Sequence, residues 1–196
     1  MQQVVDFYFD VGSPASYLAW TQLPALCRQA GAQLVYKPML LGGVFQATGN
    51  TSPASVPAKG RYMNRDLARF ARRYGVPLGT NPYFPINTLQ LMRAISGIQV
   101  RDPSRFEALL ATVFHAMWVD VRNMNDPAVV AEALAAGGFA PAAIFALVND
   151  PEVKARLKTT TEEAVQRGVF GAPTVFVGDE MFFGQDRLDF IREALA

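Results

Sequence analysis

Cysteine and histidine are almost missing from this chain: each occurs once in 196 residues, as Cys27 and His115. A lone cysteine excludes an intrachain disulfide, and so small a stock of thiol and imidazole excludes a Cys/His zinc centre of ordinary ligand count, so no metal is expected. A surplus of charge is missing too. The formal net charge is +1 at pH 7, which gives no global field for nucleic acid or an acidic membrane surface, and neither partner is expected. Long apolar runs are also lacking. The most apolar stretch, residues 128–148, is broken by Glu132, Gly137, Gly138 and Pro141. It reads as two helices of a soluble protein and not as a span, which needs about 18 or more uninterrupted apolar residues. The first residues carry no basic n-region and no cleavage site. These absences together lead to the expectation of a soluble, cytoplasmic protein. Hydrophobic residues make up 51% and charged ones 18%, enough for a sizeable core and against disorder.

What is present begins with Asp10-Val11-Gly12-Ser13-Pro14-Ala15-Ser16-Tyr17-Leu18. The stretch follows an apolar run, residues 4–9, that reads as a buried strand, and it opens a segment with helical spacing. Ser13 is a good N-cap, since its hydroxyl can accept from an orphan backbone N–H. Pro14 suits the first helical position, where a missing N–H costs nothing. Two readings stay open: a capped helix start and nothing more, or a helix start that presents Ser13 to an anion.

The spacing predicts a helix over 14–30, kinked at Pro24 and stopped by Gly31, with Cys27 on its apolar face as core packing and not as a reactive thiol. A short strand over 33–37 completes a βαβ unit with parallel strands. A polar loop, 48–59, is the longest irregular stretch and long loops are often functional. A helix over 61–74 carries Arg65, Arg69, Arg72 and Arg73 at helical spacing, either a solvated basic face or a steering surface for an anionic substrate. Helices follow over 87–97, 103–119, 127–137, 141–148 and 151–168, several of them opened by Asp-Pro pairs. A hairpin, 169–177 and 180–183 around Gly178-Asp179, leads to a last helix over 186–195. The order is β-α-β, a helical insertion, then α-β-β-α. It gives an α/β chain with a thioredoxin-like fold and an all-helical insertion domain. Residues 1–44 and 151–196 would form the thioredoxin-like part, and 45–150 the insertion.

Five groups of residues carry a resemblance: Phe7-Tyr8-Phe9-Asp10 followed by Ser13-Pro14-x-Ser16-Tyr17; Gly49-Asn50; Arg61-Tyr62-Met63; Phe170-Gly171-Ala172-Pro173-Thr174; and Phe183-Gly184-Gln185-Asp186-Arg187. In this order and at these separations the chain resembles the 2-hydroxychromene-2-carboxylate isomerases and kappa-class glutathione transferases, the DsbA-like branch of the thioredoxin superfamily, over nearly its whole length. Thiol–disulfide members open the first helix with Cys-x-x-Cys. Here that place reads Ser13-Pro14-Ala15-Ser16, and a hydroxyl cannot exchange disulfides. The resemblance implies that the thiol is supplied by glutathione as cofactor, held as a thiolate by Ser13 at the helix start. It implies a cis Pro173, with the backbone of Ala172 pairing with glutathione. It places Phe183, Gly184, Gln185 and Asp186 around the γ-glutamyl end, Asp186 facing the ammonium or serving only as a helix cap. It makes Asn50 a glutathione contact, or otherwise a turn residue.

The chain departs from its relatives just before Gly49-Asn50, where Phe45-Gln46-Ala47 stands in place of a frequent lysine. Lys59, Arg61 or Arg65 would then have to meet a substrate carboxylate. Tyr83, Phe84, Asn87, His115 and Trp118 are candidates for an apolar substrate pocket, or for packing between the two parts; for His115 the expectation is a satisfied core position. The resemblance implies a glutathione-dependent isomerase that interconverts 2-hydroxychromene-2-carboxylate and trans-o-hydroxybenzylidenepyruvate in aromatic catabolism, by thiolate addition, rotation and elimination. Its alternatives are a kappa-like transferase or peroxidase and a non-catalytic glutathione-binding module. A homodimer acting on a small aromatic α-keto acid is implied with it.

Overall fold

The computed structural model describes residues 2–196. Its centre is strand β1 (Val4–Phe9), which lies parallel to β2 (Gln33–Pro38) and antiparallel to β3 (Thr174–Val177). β3 pairs in turn with antiparallel β4 (Glu180–Phe183), giving the sheet order β2-β1-β3-β4. The β-branched and aromatic run of β1 suits a strand covered on both faces. Val5, Phe7 and Phe9 enter the larger core, while Tyr8 packs on the other side with Met39, Val44, Ala164, Val169 and Phe176.

Helix α1 (Pro14–Ala30) crosses from β1 to β2. It starts and stops where cap chemistry predicts, at Ser13 and at Gly31, whose φ of 67° is left-handed. The helix runs on through Pro24 to Ala30. Helix α2 (Leu41–Thr48) follows β2 directly and crosses the boundary expected between residues 44 and 45. Its Gly42-Gly43 pair hides it from a propensity reading. Gly43 lies against the last long helix, where a Cβ would stand 3.2 Å from Thr161 Cγ2.

Helix α3 (Pro57–Tyr74) begins inside the expected polar loop, and helices α4 (Leu89–Arg101), α5 (Phe106–Trp118), α6 (Pro127–Ala136) and α7 (Pro141–Asn149) complete the insertion. Asp126 and Asp150 cap the helices that follow them, accepting from Ala128 N–H at 2.9 Å and Glu152 N–H at 2.8 Å. Helix α8 (Pro151–Gln166) returns to the sheet, and α9 (Leu188–Ala194) closes the chain.

The insertion shares its core with the sheet. Phe114 of α5 packs on Phe9, Tyr17 and Trp20, with ring centroids 5.2–6.1 Å apart. Truncating such a buried ring to alanine costs about 3–5 kcal/mol. His115 departs from expectation. Val113, Phe114, Ala116 and Met117 are buried around it, but its own position falls on the outward side of the turn and it is exposed.

Candidate active site

The start of α1, the end of α2, the inner side of α3 and the two segments flanking β3 and β4 surround one cavity of about 750 Å³. Ser13 stands at its base as the N-cap of α1, with extended backbone (φ −97°, ψ 115°). Its Oγ accepts from Ser16 N–H at 3.1 Å and donates to the Ala172 carbonyl at 3.0 Å. The Ala172–Pro173 peptide bond is cis, and both residues line the cavity. Ser16 lies deeper. It is fully buried, and among the described residues its hydroxyl has no partner.

Asn50 follows Gly49, the left-handed stop of α2 (φ 71°). The left-handed residue of this turn is the glycine and not Asn50. The Asn50 amide donates to the Phe170 carbonyl at 2.8 Å and its oxygen accepts from Thr51 N–H at 2.8 Å, so the α2 end is tied to the segment before the cis proline. Phe170 and Phe183 meet at the rim with centroids 4.6 Å apart. Gly171 has no room for a side chain beneath them, since a Cβ would fall 2.7 Å from the Phe183 ring.

Gly184 continues β4 with φ 102°, and a Cβ there would meet the Asp186 carboxylate at 2.5 Å. Asp186 is exposed beside Arg187, its ion-pair partner. It does not cap a helix, because α9 opens at Leu188 with Arg187 in the cap position. Gln185 is 8% exposed and lines the cavity. Its backbone carbonyl accepts from the Tyr74 hydroxyl at 2.7 Å, and among the described residues its side-chain amide has no hydrogen-bond partner. Burial, then the nearby Asp186 carboxylate, pushes the Tyr74 hydroxyl up to about 12, so it remains a donor.

Of the three cations expected to meet a carboxylate, Lys59 lines the cavity; Arg61 and Arg65 are outside it. The aromatic candidates divide in the same way. Phe84 forms part of the cavity wall, with Phe45, Met63 and Leu67. Tyr83 is exposed outside it, and Asn87 faces a different cleft, where its side chain accepts from Leu89 N–H. Trp118 is buried behind Phe84, with its indole N–H on the Val11 carbonyl at 2.8 Å. It supports the turn from below and does not line the main cavity. A wider groove of about 840 Å³ between α2, α4 and α8 contains none of the residues that meet at Ser13.

A spacing argument misses the layer under the turn. Met92 Sδ receives the Val11 N–H at 3.4 Å, and the buried Asp10 carboxylate accepts from Gly12 N–H, Leu41 N–H and the Thr88 hydroxyl. Burial pushes Asp10 above the ordinary carboxylate range, and these donors pull it back. Its sequence signal is an acid that ends the Phe7-Tyr8-Phe9-Asp10 group, just before the glycine of the turn. Cys27 takes no part: burial raises its thiol to about 11, so it stays protonated in the core.

In chemical terms, a helix start with a capping hydroxyl stands beside the half-buried Ala172 peptide at the cavity, under an apolar wall. That combination suits an anion attached to a peptide-like molecule. The family model of the DSBA-like thioredoxin domain matches residues 4–196. The 2-hydroxychromene-2-carboxylate isomerase of Sphingobium xenophagum is 35% identical over 200 residues, with 100% of this chain and 99% of that protein covered. Glutathione S-transferase kappa 1 of Rattus norvegicus is 27% identical, covering 96% of this chain and 89% of that one. Among solved structures, a selenomethionine 2-hydroxychromene-2-carboxylate isomerase superposes with a TM-score of 0.85 at 31% identity, over 98% of this chain and 94% of that one.

Proposed function

Because the chain belongs to the family of DSBA-like thioredoxin domains, and within it to that of the 2-hydroxychromene-2-carboxylate isomerases, we propose that it is a glutathione-dependent isomerase acting on a small aromatic α-keto acid. The observation that carries this reading is Ser13. It occupies the start of α1, opposite Ala172 and the cis Pro173, in a chain whose only cysteine is buried elsewhere.

The residues present fit glutathione. Gln185 offers its side-chain amide at one end of the cavity, beside the Asp186 carboxylate for an ammonium. Ala172 offers backbone groups at the centre, and Lys59 a cation for a carboxylate. When bound, glutathione supplies a thiolate that adds reversibly to a C=C bond conjugated to the keto acid, allowing rotation before it leaves. The chain's own part is to hold, orient and exclude water. Ser13, whose hydroxyl donates to the Ala172 carbonyl in this structure, is the donor that would turn to a bound sulfur, and the positive end of α1 favours an anion there. Asn50, Phe183 and Gly184 border the peptide edge. Phe45, Met63 and Phe84 form the apolar wall for an aromatic ring, and positioning of this kind lowers a barrier by pre-arranging the reacting groups. Tyr83, Asn87 and Trp118 have no direct contact in this scheme.

The test is to follow ring-opened product from 2-hydroxychromene-2-carboxylate with and without glutathione. Conversion that needs glutathione and leaves its concentration unchanged is the expected result. Equal rates without it would reject the cofactor. The second reading, a kappa-like transferase, is favoured by the similarity to glutathione S-transferase kappa 1 and by the same apolar wall. It requires that glutathione be consumed, for example with chlorodinitrobenzene. A binding module without turnover would show only a glutathione-dependent rise in melting temperature. Cytoplasmic location and a homodimer complete the proposal. The single buried Cys27 demands no oxidising compartment, and sedimentation measures the assembly.

A further inference from the structure

Asp10 does not line the cavity itself, but its carboxylate is bonded to two residues that do, Gly12 and Leu41. Its side chain is 1% exposed behind the Ser13 turn. Oδ1 accepts from Gly12 N–H at 2.8 Å, while Oδ2 accepts from Leu41 N–H at 2.8 Å and from the Thr88 hydroxyl at 3.0 Å. The donors come from three separate parts of the chain: the turn opening α1, the first residue of α2, and the residue before α4. Gly12 leads into Ser13, α2 leads to Asn50, and the Thr88 segment begins with Phe84.

We propose that Asp10 is a positioning residue whose carboxylate holds the starts of α1, α2 and α4 in one register, so that Ser13 faces the Asn50 edge on one side and the Phe84 wall on the other.

Two features of the caps support it. Leu40, at the N-cap of α2, gives no side-chain hydrogen bond to the helix; Asp10 supplies that bond from elsewhere in the chain, where a negative charge also suits the helix dipole. Thr88 sits at the N-cap of α4 but does not cap it, because its hydroxyl is turned to Asp10. The first N–H of α4, that of Leu89, is accepted instead by the Asn87 side chain, which leaves the Thr88 hydroxyl to Asp10. Packing between the α1 turn and the residue before α4 is close. A Cβ on Gly12 would stand 2.9 Å from Thr88 Cγ2 and 3.3 Å from Asp10 Oδ1. An apolar residue at position 10 would leave the Gly12 and Leu41 N–H groups unpaired.

The proposal rests on the glutathione reading, so binding and turnover are measured separately on the full chain. Glutathione affinity is read by calorimetry, and kcat and KM with 2-hydroxychromene-2-carboxylate, for the parent, Asp10→Asn, Thr88→Val and the double variant. Asp10→Asn keeps an acceptor for one N–H and turns an NH2 group toward the other. It is expected to fold, to weaken glutathione binding about tenfold and to lower kcat about tenfold. Thr88→Val cuts only the α4 arm. It is expected to raise the substrate KM about fivefold while glutathione affinity stays within about twofold. The double variant is expected to fall short of the product of the single effects, as residues in one network do. A folded Asp10→Asn with affinity and kcat within about twofold of the parent overturns the proposal. If Asp10→Asn does not fold, Thr88→Val decides alone: a lower melting temperature with KM unchanged means a merely structural residue. A parent that neither binds glutathione nor turns over the substrate rejects the functional reading itself, and this proposal with it.

Discussion

The Ser13 hydroxyl donates to the Ala172 carbonyl at 3.0 Å, joining the start of α1 to a residue 159 positions later in the chain. The proton that would serve a bound thiolate is therefore held by the peptide edge.

Ser13→Ala removes this donor together with the cap bond from Ser16 N–H. Loss of an N-cap costs about 1 kcal/mol, a drop of about 2–4 °C in melting temperature for a chain of this size. Loss of a donor to an anion costs about 10²–10³ in rate. The expected variant is folded, slow, and binds glutathione whose thiol titrates higher than in the parent, read by ultraviolet thiolate absorbance. Unchanged activity would remove Ser13 from the site.

Gly12 is required for space. An added methyl group would meet the Thr88 methyl at 2.9 Å, and overpacking of this kind costs about 1–3 kcal/mol. Gly12→Ala is expected to lower both stability and kcat. Adding Thr88→Ser deletes the opposing methyl but keeps the hydroxyl for Asp10, and it should recover most of both losses. Denaturant midpoints and initial rates on the three variants check this, and no recovery would place the strain elsewhere.

The cap at Ser13-Pro14 was legible in the sequence because its chemistry is local: one hydroxyl and the N–H three residues on. β1 was legible for a similar reason, since a strand covered on both faces shows as a short apolar run, broken here only by Asp6. Helix α2 was not, because Gly42-Gly43 reads as a loop unless one knows that α8 lies against it. The outward position of His115 depends on which side of α5 meets Phe9 and Tyr17, and a run apolar on both sides of it gives no phase. Trp118 looks the same in sequence as a pocket wall or as a support; in the structure its indole bonds Val11, 107 residues away, beneath the turn. Asp10 and Thr88 meet across 78 residues, and no spacing rule reaches that far.

Asn50 separates binding from folding. Its bond to the Phe170 carbonyl lies at an exposed position, so Asn50→Ala is expected to change stability by less than about 0.5 kcal/mol. Glutathione affinity should nevertheless fall about tenfold, because the end of α2 loses its tie to the segment before Ala172. Asn50→Asp keeps the acceptor for Thr51 N–H but sets a carboxylate against the Phe170 carbonyl, and it should bind more weakly than the alanine variant. Calorimetry ranks the three, and an aspartate variant that binds like the parent would show that the Phe170 contact is dispensable.

The protonation of Asp10 gives a stability signal with a fixed sign. Burial raises its pKa, and the groups that touch it, two backbone N–H and one hydroxyl, are all uncharged. A carboxyl with a folded pKa above its unfolded one binds more protons in the folded state between the two values. Its contribution is therefore greatest below the unfolded value, about 3.9, and declines as pH rises through the folded one. Other carboxyl groups are common to the parent and to Asp10→Asn and cancel in the difference. The unfolding free energy of the parent minus that of Asp10→Asn is expected to fall as pH rises above about 4, then to level once Asp10 is ionised in both states. Urea midpoints over a pH series measure it. A difference that is flat, or that climbs with pH, would mean that the three donors outweigh burial and hold Asp10 ionised throughout.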